Sequence, residues 1–233
     1  MVDLTRNSTN ETGGVNMDTE QNQLNLCGVI ESPLTLDHEV FGEQFYRMDL
    51  QVPRLSGALD LLPVTVSERL MNSQMTPGAR LSVQGQLRSY NKMMDGAGRL
   101  LLTAFAQRLS PPNDSENPNT IHLIGAVCKH PSFRITPFGR EITDLMLAVN
   151  RAFGKSDYIP CIAWGRTARY AAQLSVGDHL EVQGRFQSRE YQKQMPDGAV
   201  INRVAYEVSI SRLTYLKDIP LPIRPASNPG GQT

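Results

Sequence analysis

The sequence predicts an all-β protein with minor helix, built as two tandem five-stranded Greek-key barrels. Three observations predict it: an internal repeat, apolar residues that recur at period two, and one helical stretch at the same place in each copy. Composition permits it. Of 233 residues 40% are hydrophobic and 20% charged, as in an ordinary globular chain and too apolar for general disorder. That length holds one large domain or two small ones.

The repeat is read directly from the chain. Residues 26 to 54, LCGVIESPLTLDHEVFGEQFYRMDLQVPR, lie on 123 to 151, LIGAVCKHPSFRITPFGREITDLMLAVNR. Gly28 meets Gly125, Phe41-Gly42 meets Phe138-Gly139 and Arg54 meets Arg151, each at an offset of 97. Pro63 and Arg69 meet Pro160 and Arg166 at that same offset. PGARLSVQGQLRS (77 to 89) then meets VGDHLEVQGRFQS (176 to 188) at 99, and the Asp95-Gly96 and Asp197-Gly198 turns follow at 102. The drift falls where loops are expected, which marks a duplication. The units run over 23–110 and 119–216, joined by a Pro/Asn/Ser linker at 111–118. Residues 1–22 are polar and lack aromatic rings, and 217–233 are rich in Pro and Gly; both read as flexible segments.

In the second unit Leu145, Leu147 and Val149 share one face, and Asp144, Met146, Ala148 and Asn150 the other. This alternation over Ile142 to Asn150 is that of a half-buried strand. Tyr158 to Trp164 and His179 to Tyr191 are further strands. GRTARYAAQLSVG (165 to 177) reads as a helix with an Ala-rich turn and a Gly177 stop. The Asp197-Gly198 turn leads into a last strand from Val200 to Leu213. Five strands with a helix between the third and fourth is the chain order of an OB-fold, a small closed barrel. The first unit repeats the order with a weaker helix at Ser67 to Gln74.

Strand parity separates the faces. Ile159, Cys161 and Ala163 suit a barrel interior, which leaves Tyr158, Pro160, Ile162 and Trp164 outward. On the next strand Leu180, Val182 and Phe186 point in, and Arg185, Gln187, Arg189 and Tyr191 out. Phe153 lies near the end of the second strand. Outward rings are costly unless something covers them. Rings interleaved with guanidinium groups suit single-stranded nucleic acid, because bases stack on the rings and cations track the phosphates.

At this point the second unit resembles the bacterial single-stranded DNA-binding protein family. The matching stretches are NTIHLIGAVCKHPSFRITPFGREI, LAVNRAF, DYIPCIAWGR, GDHLEVQGRFQSREYQK and YEVSISRLTYL, which cover nearly all of 119–216. The resemblance places the family's base-stacking aromatics on Phe153, Tyr158, Trp164 and Tyr191, and its strand-four basic positions on Arg185, Gln187 and Arg189. Arg151, Arg166 and Lys193, in the same stretches, complete the candidate binding set. It implies OB-folds, sequence-independent binding of single-stranded DNA in replication, repair and recombination, and a homodimer with four OB domains in a cytoplasmic, nucleoid-associated setting. The first unit is similar more weakly, through LCGVIESP and GARLSVQGQLRSYNK. Its stacking positions fall on Ser56, Leu61 and Ser67, with only Tyr90 near the fourth, so it reads as a degenerate barrel used for assembly. The family often ends in an acidic tail with a partner-recruiting tip, whereas this chain ends NPGGQT; recruitment through a tail is therefore not carried over.

Other classes find less support. His38, His122, His130 and His179 have no metal-ligand spacing to a Cys or to one another, no Gly-rich phosphate loop is present, and no cofactor or metal is expected. Cys161 has the parity of a small core residue rather than a nucleophile, and three scattered cysteines point to a reducing compartment. No apolar run is long enough to span a membrane, and Met1 to Asn22 has no secretory apolar core. The chain is thus read as a binding protein and not an enzyme. Two alternatives fit the same pattern: an OB-fold adaptor of a replication or DNA-transfer complex, and a binder of single-stranded RNA, since stacking does not distinguish the sugars.

Twenty-three basic and 23 acidic residues give a net charge of 0, which conceals an uneven spread. The segments carry −3 over 1–22, 0 over 23–110, −2 over 111–118, +4 over 119–216 and +1 over 217–233. The second unit also holds 10 aromatic residues against 5 in the first. A field of +4 is modest, so stacking is expected to carry more of the affinity than long-range attraction.

Overall fold

The structure is a computed structural model that describes residues 21–94, 96–112, 117–194 and 198–217, with side chains 94, 97 and 193 outside the description. Most of both expected flexible ends, the middle of the linker, and Asp95 and Asp197 of the two turns therefore lie outside the described residues. Asn22, assigned from sequence to the flexible N-terminal segment, instead opens the first strand with its side chain buried.

The strands are β1 (Asn22–Ile30), β2 (Thr35–Val40), β3 (Glu43–Pro53), β4 (Leu59–Ser67), β5 (Arg80–Met94) and β6 (Ala97–Ser110). After them come β7 (Asn119–Val127), β8 (Ser132–Ile135), β9 (Glu141–Asn150), β10 (Ser156–Trp164), β11 (His179–Gln194) and β12 (Val200–Leu216), with the helix α1 (Gly165–Ala171) between β10 and β11. Each unit has one more segment than the five expected. Its first strand is broken in two near a proline, Pro33 or Pro131, which cannot donate to a ladder. Both pieces, β1 with β2 and β7 with β8, still pair with the next strand, β3 or β9.

Each half closes in the same way. β1, β3, β4, β6 and β5 form one ring, closed by the parallel pair Val64↔Ala104. β7, β9, β10, β12 and β11 form the other, closed by Cys161↔Val208. These are two OB-fold barrels. β5 and β11 are bulged at Gln84/Gly85 and Gln183/Gly184. A Cβ on either glycine would collide with a carbonyl oxygen, that of Phe105 or of Ser209, so only glycine lets the strands close there.

The interiors are apolar, as parity requires. Leu50, Val52, Leu62, Val64, Val83 and Leu87 fill the first; Leu147, Val149, Ile159, Cys161, Val182 and Phe186 fill the second. Each Val, Leu, Ile or Phe among them contributes about 1.5–3 kcal/mol on burial. The helix is shorter than its sequence predicts. It ends at Ala171, and Ala168 and Ala171 plug the barrel, while Gly177 (φ +99°) sits in a later turn and donates its N–H to Val127. In the first unit the expected helix is only a 3-10 turn, Glu68–Leu70, capped by Ser67.

The barrels join through β1 and β7, which pair antiparallel from Asn22↔Leu123 to Leu26↔Asn119. Asn22 and Asn119 are repeat equivalents, as are Leu26 and Leu123, so the junction has the self-complementary form of a two-fold interface. The result is one continuous twelve-stranded sheet with β2 and β8 at its ends.

Candidate nucleic-acid interface

The pseudo-two-fold decides which outward residues reach solvent. Asp60 on β4, fully buried, accepts from Ser188 N of the other barrel at 2.8 Å and from Arg54 through two bonds of 2.6 and 2.7 Å. Its equivalent Asp157 on β10, also fully buried, accepts from Ser89 N at 2.6 Å and from Arg88 at 3.0 Å, with Arg151 Nε at 3.3 Å. A carboxylate of each barrel thus holds the fourth strand of the other. Asn22 and Asn119 each exchange two bonds with the backbone of Leu87 and Phe186 beside this seam.

Three residues expected on the binding face lie in or beside the seam. Gln187 points away from its own barrel, yet is only 3% exposed, and donates to Glu207 Oε1 at 2.9 Å. Arg185 donates to Gln187 Oε1 at 2.9 Å, and burial first, then neighbouring Arg54, pulls its pKa below the usual guanidinium value. Arg151 is engaged by Asp157. In the first barrel the order is exchanged, with Gln86 and Arg88 in place of Arg185 and Gln187, and Arg88 donates to Gln86. Gln187, expected to face solvent beside Arg185, is instead buried, because outward from one barrel is inward to the pair; Arg185 and Arg151 keep partial exposure at its edge.

The rings are placed differently. Phe153 is 99% exposed on a left-handed backbone (φ 60°, ψ 32°). That conformation costs a non-glycine residue about 1–3 kcal/mol and is concentrated at functional sites. Tyr158 is 48% exposed, with its backbone N–H anchored on Ser89 Oγ of the first barrel at 2.7 Å. Trp164 is partly exposed, and its indole N–H donates to Ser209 Oγ at 3.2 Å, which satisfies the polar edge. Tyr191, 37% exposed, has the Arg189 guanidinium 5.7 Å from its ring centre, within cation–π range. Ile162, of the same parity, is buried. Arg166 is exposed on α1, and Lys193 lies on β11 with its side chain outside the described residues.

Arg189 and Tyr191 line a groove of about 870 Å³ that both barrels build. The second barrel supplies Lys129, His130, Arg134, Arg203 and the carboxylates Asp144 and Glu207; β6 of the first supplies Arg99 and Leu100–Leu102 as the opposite wall. Arg134 pairs with Asp144 at 2.8 Å and Arg189 with Glu207 at 3.2 Å. The cations of the break near Pro131 and of β6 escaped the sequence reading because no strand parity connects them. Phe133 and Phe138 are two further exposed rings of the second barrel, on the β8–β9 hairpin. Burial raises the Cys161 thiol far above its usual range, which fits a core residue. Among the described residues no group of His, Cys, Asp and Glu could hold a metal, and no helix is long and apolar enough to cross a membrane.

Exposed rings beside basic side chains are features that OB-folds use to bind single-stranded nucleic acid. The chain belongs to the single-strand binding protein family, whose model matches residues 118–216. It is 34% identical over 83 residues to single-stranded DNA-binding protein B of Bacillus subtilis, spanning 33% of this chain and 74% of that one. It is also 34% identical over 96 residues to single-stranded DNA-binding protein A of the same organism, spanning 38% and 56%. The chain thus spans about half the length of most of the curated relatives it matches. The crystal structure of the single-stranded DNA-binding protein from Thermus aquaticus superposes with a TM-score of 0.67 at 23% identity, covering 89% of this chain and 98% of that one, and attests the fold.

Proposed function

We propose that this protein binds and protects single-stranded DNA without sequence preference, in replication, repair or recombination. The observation that carries the reading is the exposed series Phe153, Tyr158, Trp164 and Tyr191 on the outer face of the second barrel. Bases stack on such rings at about 1–3 kcal/mol each, whatever their identity. Arg166 and the groove cations Lys129, Arg203 and Arg99 meet the phosphates, and the strand passes from the rings into that groove, so the first barrel contributes a wall as well as a scaffold. The names of the relatives agree with this ligand. The protein acts as a binder and not an enzyme, in a cytoplasmic, nucleoid-associated setting, and two copies join into a homodimer with four barrels.

Trp164, the sole tryptophan, makes the test direct. Titration with oligo-dT quenches its fluorescence strongly, and affinity falls as salt rises through counterion release. No quenching and no mobility shift would overturn the reading and favour an adaptor role. Tighter binding of oligo-U would assign the ligand as RNA. A mass measurement in solution reads the dimer.

A further inference from the structure

A buried carboxylate is an unexpected lining for a groove that takes a polyanion. Glu207 is 6% exposed and accepts three hydrogen bonds, from Arg189 Nε at 3.2 Å, Arg189 Nη2 at 3.3 Å and Gln187 Nε2 at 2.9 Å. It lies directly across from Gln187 in the β11–β12 ladder, and Arg189 is its diagonal neighbour. The forked pairing occupies one edge of the guanidinium and offsets its charge, while its central carbon sits over the Tyr191 ring, 5.7 Å from the ring centre.

We propose that Glu207 is a positioning residue: it holds Arg189 over Tyr191 as one stacking platform for a base and withholds that guanidinium from phosphate. The proposal rests on the single-stranded DNA reading and deepens it. Glu207 makes the groove select bases over bare backbone, at the cost of one phosphate contact.

Three variants of the full chain test it: Glu207→Gln, Arg189→Gln and the two combined. Kd is measured across a salt series for oligo-dT and for an abasic deoxyribose-phosphate strand of equal length, with a thermal melt of each variant. On single strands each phosphate contact adds about 0.7 to the slope of log K against log salt. Glu207→Gln releases Arg189 to phosphate, so the slope steepens by about 0.7 and the preference for oligo-dT over the abasic strand falls about two- to five-fold. Arg189→Gln lowers the same preference and leaves the slope at its parent value. The double variant returns the slope to the parent value.

Two results would overturn the proposal. Arg189→Gln alone could make the slope shallower by about 0.7, which would put Arg189 on phosphate already. Alternatively, Glu207→Gln could lower only the melting temperature, which would make Glu207 purely structural. Arg189 is partly exposed, so its single variant still decides if the Glu207 variant does not fold. A parent protein that binds no oligo-dT would instead sink the ligand reading, and this proposal with it.

Discussion

The two barrels share a skeleton and differ in what they carry outside it. Asn22 and Asn119, Arg54 and Arg151, Asp60 and Asp157, and Gly85 and Gly184 occupy matching places with matching partners. The outer faces have diverged. Where the second barrel presents Phe153, Tyr158 and Trp164, the first has Ser56, Leu61 and Ser67, and Ser67 is buried as the cap of a 3-10 turn. Residues that hold the barrels together answer to a partner on both sides of the pseudo-two-fold. Side chains on the outer face carry less of the packing, so one copy could exchange its rings for Ser56 and Leu61 without loss of fold.

The comparison can be broken at its shared part first. Asp60→Ala and Asp157→Ala each strand a guanidinium and remove the acceptor of a backbone N–H of the other barrel. Each is expected to cost about 3–5 kcal/mol, the loss that follows removal of one partner of a buried pair. Denaturant unfolding reads it, and unequal costs would show that the seam is not symmetric in energy. The divergent part comes next. Tyr158→Ala combined with Trp164→Ala removes two stacking surfaces and should weaken oligo-dT binding by about thirty-fold or more. Tyr90→Ala, the one ring of the first barrel near a stacking position, should change the same Kd little; a comparable loss would mean that both barrels bind. The smallest effect tests the wall between them. Arg99→Gln should make the salt slope shallower by about 0.7, and an unchanged slope would remove the first barrel from the strand's path.

Much of this architecture was legible in the chain. Period-two alternation over 142 to 150, the Gly28/Gly125 and Phe-Gly matches, and the interior parity of Ile159, Cys161 and Ala163 are local properties, and local sterics and burial enforce them. The broken first strand was less legible, because Pro33 and Pro131 mark an interruption without saying that both pieces pair with one neighbour. The short helix was overread, because an Ala-rich run carries helical propensity beyond the turns that the barrel mouth accepts.

Of the candidate site, the outward placement of the rings follows from parity and resemblance, whereas the burial of Gln187 does not. The sequence by itself determined the strand order, the inner faces, the duplication and the uneven spread of charge and rings, since each depends on neighbours a few residues apart or on comparison of one copy with the other. Only the tertiary structure decided that Gln187 is buried at the seam with Arg151 and Arg185 beside it, that Arg189 is held by Glu207, and that β6 of the first barrel forms one wall of the groove. The physical reason is distance along the chain. Asp60 meets Ser188 across 128 residues, and no local pattern records whether an outward side chain faces water or a second barrel.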